Sequence, residues 1–137
     1  MRRIPTTILL AFAAGAFGGL VNSLAIWAAG ALSLTAMVGV GIAPNLSPAW
    51  LYPRIVWGGL WGFAFLMPVL DSRIWLRALL FSLGPTLVQL FVVFPAKTPH
   101  GAFGLGLGTL TPVVVLLANA VWGLTAAAAL RATDPGP

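Results

Sequence analysis

Residues 8–27 read ILLAFAAGAFGGLVNSLAIW, a run of twenty residues without a single charged side chain. A helix of this length rises about 30 Å, which matches the thickness of the hydrocarbon core of a bilayer. The run is also longer than the apolar core of a secretory signal, which has about 7–15 residues. We therefore predict a transmembrane helix at about residues 5–30.

Further apolar segments follow at about residues 53–70, 73–95 and 101–131. The pattern predicts an all-α, polytopic membrane protein, with a four-helix transmembrane bundle that forms one domain over residues 1–137. The composition agrees, because 60% of the 137 residues are hydrophobic and only 7% are charged, whereas a soluble domain has about 25% charged residues. So few charges cannot cover a water-facing surface, and we expect the lipid bilayer to surround the chain.

The net charge of +5 does not indicate nucleic-acid binding, because the basic residues are scattered between the apolar segments and form no stripe. With four crossings, both chain ends lie on the same side of the membrane. Five basic residues lie on that side (Arg2, Arg3, Arg73, Arg77, Arg131) and two on the other (Arg54, Lys97). The positive-inside rule therefore predicts cytoplasmic N- and C-termini in a bacterial-type plasma (inner) membrane.

The connection between the first two predicted helices is long and uncharged, and lies on the non-cytoplasmic side in this topology. Its first part, residues 32–42, is apolar but too short to span the membrane, and Pro44 and Pro48 follow. Two interpretations stay open for residues 32–50. The segment either lies in the membrane interface or dips into the membrane as a re-entrant loop, which would have to be covered by protein.

Small residues recur at helical spacing in the predicted crossings. Glycine lets helix backbones approach closely in lipid, so these stripes predict helix–helix packing. The predicted packing glycines are Gly15, Gly18, Gly58, Gly62, Gly104 and Gly108. Three prolines, Pro68, Pro85 and Pro112, also fall inside predicted crossings, where each is expected to kink its helix.

Five polar side chains are predicted within the hydrocarbon region: Asn22, Ser82, Thr86, Gln89 and Asn119. An amide without a partner is costly there, so each amide is expected to find one. From their depths along the segments, we expect Asn22 to meet Gln89 and Asn119 to pair with Ser82. These groups either fix the register of the helices or line a path for a solute. Arg54 is expected at the outer mouth of such a path.

The residues of most catalytic and metal sites are absent or misplaced. The chain has no cysteine, one histidine and two carboxylates, Asp71 and Asp134, near the predicted inner boundary. We therefore predict no enzyme activity and no catalytic, cofactor-binding or metal-binding residues. Two functional hypotheses remain. The first is a non-catalytic subunit of a larger membrane complex, held by helix packing. The second is a homo-oligomeric channel or carrier for a neutral or anionic solute or lipid.

Overall fold

The computed structural model describes residues 3–134, and every regular element in this range is helical. In chain order the elements are α1 (Ile4–Ala31), α2 (Leu34–Met37), α3 (Pro48–Gly62), a 3₁₀ turn (Phe63–Leu66), α4 (Ile74–Val88), a π-helical turn (Gln89–Val93), α5 (Phe94–Lys97), a second 3₁₀ segment (Ala102–Leu107) and α6 (Thr111–Ala132). Arg2, which contributes to the predicted charge bias, lies outside the described residues, as do the last three positions of the predicted domain.

Three helical stretches of the described chain are long and apolar enough to cross a membrane: Ile4–Ala31, Ile74–Lys97 and Thr111–Ala132. The second of these runs through α4, the π turn and α5 without interruption. The prediction of an all-α fold is therefore confirmed for the described residues, and these three stretches could span a membrane. The region of the predicted second crossing differs from these three, because α3 has 15 residues and continues for only four more as a 3₁₀ turn.

Local chemistry explains where α3 begins and ends. The Ser47 hydroxyl accepts a hydrogen bond from the backbone N–H of Trp50 at 3.3 Å, which caps the helix ahead of Pro48. Met67 precedes Pro68 and has extended backbone angles, φ −75° and ψ 133°, as expected for a residue before proline. Pro68 therefore follows the end of the helical stretch and does not kink it, which corrects our expectation.

The other two prolines also differ from each other. Pro112 lies in the first turn of α6, where its missing N–H leaves no intrahelical hydrogen bond unmade. The expected kink at this position is therefore corrected as well. Pro85 does lie inside α4, four residues before the π turn begins.

Glycines set the close packing of the long helices. Helix α1 packs against α3 and α6, and α6 packs against α4. A methyl group on Gly15 would lie 2.6 Å from Gly62 Cα, and one on Gly58 would lie 2.9 Å from Gly19 Cα. A methyl group on Gly18 would lie 2.6 Å from the carbonyl oxygen of Trp122 in α6. The backbones therefore touch at these crossings, which only glycine permits.

Gly104 and Gly108 have a different place from the one expected. Both precede α6, and their φ angles of +67° and +144° are backbone conformations that side-chain-bearing residues rarely adopt. A methyl group on Gly108 would also lie 3.2 Å from Val40 Cα. These two glycines therefore form the turn that leads into α6, and they do not belong to a stripe on a crossing helix.

The connection between α1 and α3 folds back on the bundle. Val40 is buried, and the backbone N–H of Gly41 donates to the carbonyl oxygen of Leu107 at 2.8 Å. The Thr35 hydroxyl donates to the carbonyl oxygen of Ile42 at 2.7 Å, which closes the loop on itself. The connection is thus a compact unit held against the second 3₁₀ segment.

Candidate functional site

A cleft of about 360 Å³ lies between α3 and the stretch formed by α4 and the π turn. Pro53, Arg54 and Trp57 line its wall on α3, and Val88 and Gln89 line the opposite wall. The neighbouring helices α1 and α6 form its floor, which contains the side chains of Asn22, Ser23, Asn119 and Trp122. Four helices thus contribute to one cavity, and most of the predicted polar residues meet there.

Aromatic packing joins the two walls at one end of the cleft. The rings of Phe65 and Phe81 meet edge to face with centroids 5.1 Å apart, and a methyl group on Gly84 would lie 2.9 Å from the Trp61 ring. The Arg77 guanidinium donates to the carbonyl oxygens of Phe65 and Met67, the second at 2.6 Å. These contacts fix the end of the α3 stretch to α4, because the last carbonyls of a helix have no partner within it.

Among the residues that the structure describes, Arg54 is the only charged one that lines the cleft, and it is held in one orientation. Its Nε donates to the Ser23 hydroxyl at 2.8 Å, and its Nη2 donates to the Asn22 side-chain oxygen at 3.2 Å. Its Cζ lies 4.9 Å from the ring centroid of Trp50. Both hydrogen-bond partners are neutral, so neither offsets the positive charge.

Two of the remaining donors of this guanidinium, one N–H on Nη1 and one on Nη2, form its terminal edge. A guanidinium has five N–H groups, and the two bonds to α1 use only one from Nε and one from Nη2. Within residues 3–134, the three other N–H groups of Arg54, on Nη1 and Nη2, make no hydrogen bond to protein. This edge has the geometry that binds a carboxylate, sulfonate or phosphate through two parallel hydrogen bonds.

Arg54, which was expected at the outer mouth of such a path, reaches between the helices with its side chain. It bonds to Asn22, which is nine residues before the end of α1, or about 13 Å at helical rise. Gln89 is eight residues before Lys97, where α5 ends, and Asn119 is eight residues after Thr111, where α6 begins. The charge is therefore at the level of the polar side chains that we predicted within the membrane.

A chain of hydrogen bonds begins at Arg54 in α3 and continues through α1 and α6 to α4. The amide of Asn22 donates to the side-chain oxygen of Asn119 at 3.5 Å, and the amide of Asn119 donates to the Thr86 hydroxyl at 3.1 Å. Thr86 in turn donates to the carbonyl oxygen of Ser82 at 2.7 Å. Because each group both accepts and donates in the same direction, the bonds polarise one another. The cation of Arg54 is at the donor end of this chain.

These pairs differ from the ones predicted. Asn119 bonds to Asn22 and Thr86, and the hydroxyl of Ser82 bonds to the Leu79 carbonyl oxygen at 2.7 Å. Gln89 lines the same cleft as Asn22, but no hydrogen bond joins their side chains. The Gln89 amide makes no side-chain hydrogen bond within the described residues. It is thus a second polar group of the cleft with open donor and acceptor positions.

The π turn that follows α4 shapes the wall of the cleft on which Gln89 lies. Pro85 removes one backbone N–H from α4, and the chain takes the wider π form at Gln89–Val93. Such π turns inside helices occur often at functional sites, since they redirect side chains. Both Pro85 and Gln89 line the cleft, so the interruption and the cavity coincide.

Sequence reasoning missed two contributors to this site. Ser23 is fully buried and accepts the bond from Arg54, although it is next to Asn22 in the sequence. Trp122 is also buried, and its indole N–H donates to the carbonyl oxygens of Gly15 at 3.0 Å and Gly58 at 3.3 Å. It thereby joins α1, α3 and α6 below the cleft.

A second groove of about 250 Å³ lies between α1, α6 and the loop that carries α2. Thr35 is the single polar residue of its lining, beside aliphatic residues such as Ile26 and Leu117. Among the described residues, no charged side chain lines this groove. Within residues 3–134, no three histidine, cysteine or acidic side chains come together as a metal site would require.

Comparisons of this chain with protein-family models, with curated proteins and with solved structures find no match.

Proposed function

We propose that the chain crosses a bacterial-type plasma (inner) membrane four times, with cytoplasmic termini and with the α3 stretch as its second crossing. The 15 residues of α3 and the four of the 3₁₀ turn together rise about 30 Å at helical rise. That length equals the thickness of the hydrocarbon core. The close backbone contact between α1 and α3 supports this proposal, because it holds the two helices side by side.

Within this topology, the protein is a membrane-embedded carrier for an anionic solute, which binds in the cleft at Arg54. The observation that carries the proposal is the free edge of the Arg54 guanidinium. Its other edge is fixed by Ser23 and Asn22, so three N–H groups remain for a ligand. A charged side chain within a membrane is costly and marks a site of function by default. An anion on the free edge would offset the charge that its neutral partners leave uncompensated.

The site lies within one chain, so the binding step requires no second copy. The hydrogen-bond chain through Asn22 and Asn119 supports the same role, since it holds Arg54 and joins the floor to α4. A fixed guanidinium loses little freedom on binding, which favours affinity. Whether the carrier also assembles as a homo-oligomer is a separate part of the proposal, tested by its mass in mild detergent.

The second candidate function, a non-catalytic subunit of a membrane complex, is favoured by one exposed stripe on α3. Tyr52, Val56 and Leu60 recur every four residues and are 62%, 51% and 43% exposed. A stripe of this kind can pack against a helix of another protein. Purification in mild detergent tests it: unrelated chains in fixed proportion would support the subunit, whereas their absence would count against it.

A sulfonate probe tests the carrier. Hexanesulfonate keeps its negative charge at neutral pH, and hexanesulfonamide has the same tail without the charge. Each compound is titrated into the protein in liposomes, with the fluorescence of the six tryptophans as the readout. The same liposomes, loaded with hexanesulfonate, report its efflux. Arg54→Gln removes the charge in the cleft, and Arg131→Gln is the matched control, because Arg131 is exposed near the end of α6.

We expect wild-type protein to bind and release hexanesulfonate but not hexanesulfonamide. Hydrogen bonds to a charged group contribute about 1.5–3 kcal/mol, so Arg54→Gln should weaken binding about 10- to 150-fold. Arg131→Gln should leave binding and efflux unchanged. If the two arginine variants behave alike, or if the sulfonamide binds as well as the sulfonate, the proposal is wrong.

A further inference from the structure

The size of the cleft indicates what kind of anion it takes. Its volume is about 360 Å³, whereas a water molecule occupies about 30 Å³ in the liquid. Sites for small organic molecules have volumes from about 300 Å³ upward. A bare inorganic anion at Arg54 would therefore leave most of the cleft unfilled.

The side chains that line the walls indicate the chemistry of the part of the ligand beyond its anionic head. Beyond Arg54, Ser23 and the amides, most side chains that line the cleft are aromatic or aliphatic, among them Trp57, Trp61, Val88 and Val93. A fully hydrated ion gains nothing from such surfaces, whereas an alkyl or aryl group packs against them. The cleft thus has one charged position, with apolar walls around it.

The mouth of the cleft lies between α3 and α4. Trp57 and Val88 line opposite walls and are 62% and 39% exposed. Every lining residue belongs to α1, α3, α6 or the α4 stretch with its π turn. In the part of the chain that the structure describes, no further element therefore covers the cleft. In the proposed topology, this open side faces the acyl chains of the bilayer.

We infer that the ligand is an amphiphilic organic anion that enters sideways from the bilayer. Its oxyanion head binds the free edge of Arg54, with Gln89 as a second polar contact, and its single alkyl or aryl tail packs on Trp57 and Trp61. This inference rests on the proposed function, since it assigns a ligand class to the same site. It is more specific, because it requires the tail to contribute to binding.

A series of anions with one head and different tails tests the inference. Inorganic sulfate, methanesulfonate and hexanesulfonate are titrated into wild-type and Arg54→Gln protein in liposomes. Non-specific partitioning into the bilayer is the same for both proteins, so the difference between them isolates binding at Arg54. We expect the Arg54-dependent affinity to rise at least about tenfold from methanesulfonate to hexanesulfonate, because burial of each methylene is favourable.

Two further measurements locate the tail. Trp57→Ala should weaken hexanesulfonate binding but not methanesulfonate binding, whereas Trp75→Ala, at an exposed position near the start of α4, should weaken neither. A decanesulfonate with bromine at mid-chain, added to the bilayer, should quench the tryptophans more in wild-type protein than in Arg54→Gln.

The outcomes separate the inference from the proposed function. Equal Arg54-dependent affinities for sulfate, methanesulfonate and hexanesulfonate would overturn the inference and leave an anion carrier standing. Equal bromine quenching in both proteins would also overturn it. If none of the anions distinguishes wild-type protein from Arg54→Gln, then the proposed function fails together with the inference.

Discussion

Adding one methyl group to Gly15 should separate α1 from α3. The methyl carbon would lie 2.6 Å from Gly62 Cα and would also contact the carbonyl oxygen of Gly58, whereas ordinary contacts begin at 3.4 Å. The shortfall at Gly62 is about 0.8 Å, and the obstacle is backbone, which cannot rotate away. The two helices must therefore move apart along their crossing.

The size of the effect follows from two unfavourable terms and one favourable term. Forcing extra atoms into a packed contact costs about 1–3 kcal/mol, and the backbone obstacle favours the upper end. A gap of about 0.5–1 Å also removes a quarter to a half of the dispersion energy of the contacts that it opens. Alanine gains about 1 kcal/mol over glycine in helix propensity. We expect Gly15→Ala to lower the free energy of unfolding by about 2 kcal/mol.

Gly59→Ala is the matched control for this substitution. The atoms nearest to its methyl group would be those of the Phe12 ring, at 2.6 Å, and Phe12 is a half-buried side chain that can turn aside. Gly59 lies in the same helix pair and receives the same gain in propensity, so the difference between the variants isolates the backbone contact. We expect Gly59→Ala to be about as stable as the wild type.

Unfolding by a denaturing detergent in mixed micelles, followed by tryptophan fluorescence, measures both variants. The two must be compared under identical micelle composition. If Gly15→Ala proves as stable as Gly59→Ala, or more stable than the wild type, then α1 and α3 do not cross at backbone contact and the packing described here is wrong.

Four further substitutions test other parts of the structure. Trp122→Phe should lower the free energy of unfolding by about 1 kcal/mol, measured in the same assay, because the indole bonds to two carbonyl oxygens are lost. Asn119→Leu should destabilise by about 1–3 kcal/mol, since two polar partners lose their bonds, and it should weaken hexanesulfonate binding less than Arg54→Gln; a larger loss would refute this order. Arg77→Met should destabilise by about 1.5–3 kcal/mol, because two carbonyl oxygens at the end of the α3 stretch lose a charged donor; unchanged stability would contradict that contact. Lys97→Cys should react with an impermeant thiol reagent from outside intact cells, and labelling only after the inner face is opened would reverse the proposed orientation.

The class of the protein could be predicted from the sequence because hydropathy adds up along the chain. The run at residues 8–27 is apolar and uncharged whatever its neighbours are, and its helix is long and apolar enough to span a bilayer. Small residues at helical spacing likewise predicted close packing, and Gly15, Gly18, Gly58 and Gly62 lie at such contacts. These are properties of single segments.

The site could not be predicted in the same way, because it depends on which helices are neighbours and how each is rotated. Depth alone suggested Gln89 as the partner of Asn22, but the crossing of α1 and α6 brings Asn119 beside it, 97 residues away in the chain. Arg54 is at the start of an apolar segment in the sequence, yet α3 crosses α1 so that the guanidinium reaches Ser23 and Asn22 inside the bundle. Hydropathy gave the surroundings of each helix, whereas the rotation and register of packed helices decided which polar groups meet. Only the tertiary structure therefore revealed an oriented cation in an apolar cleft.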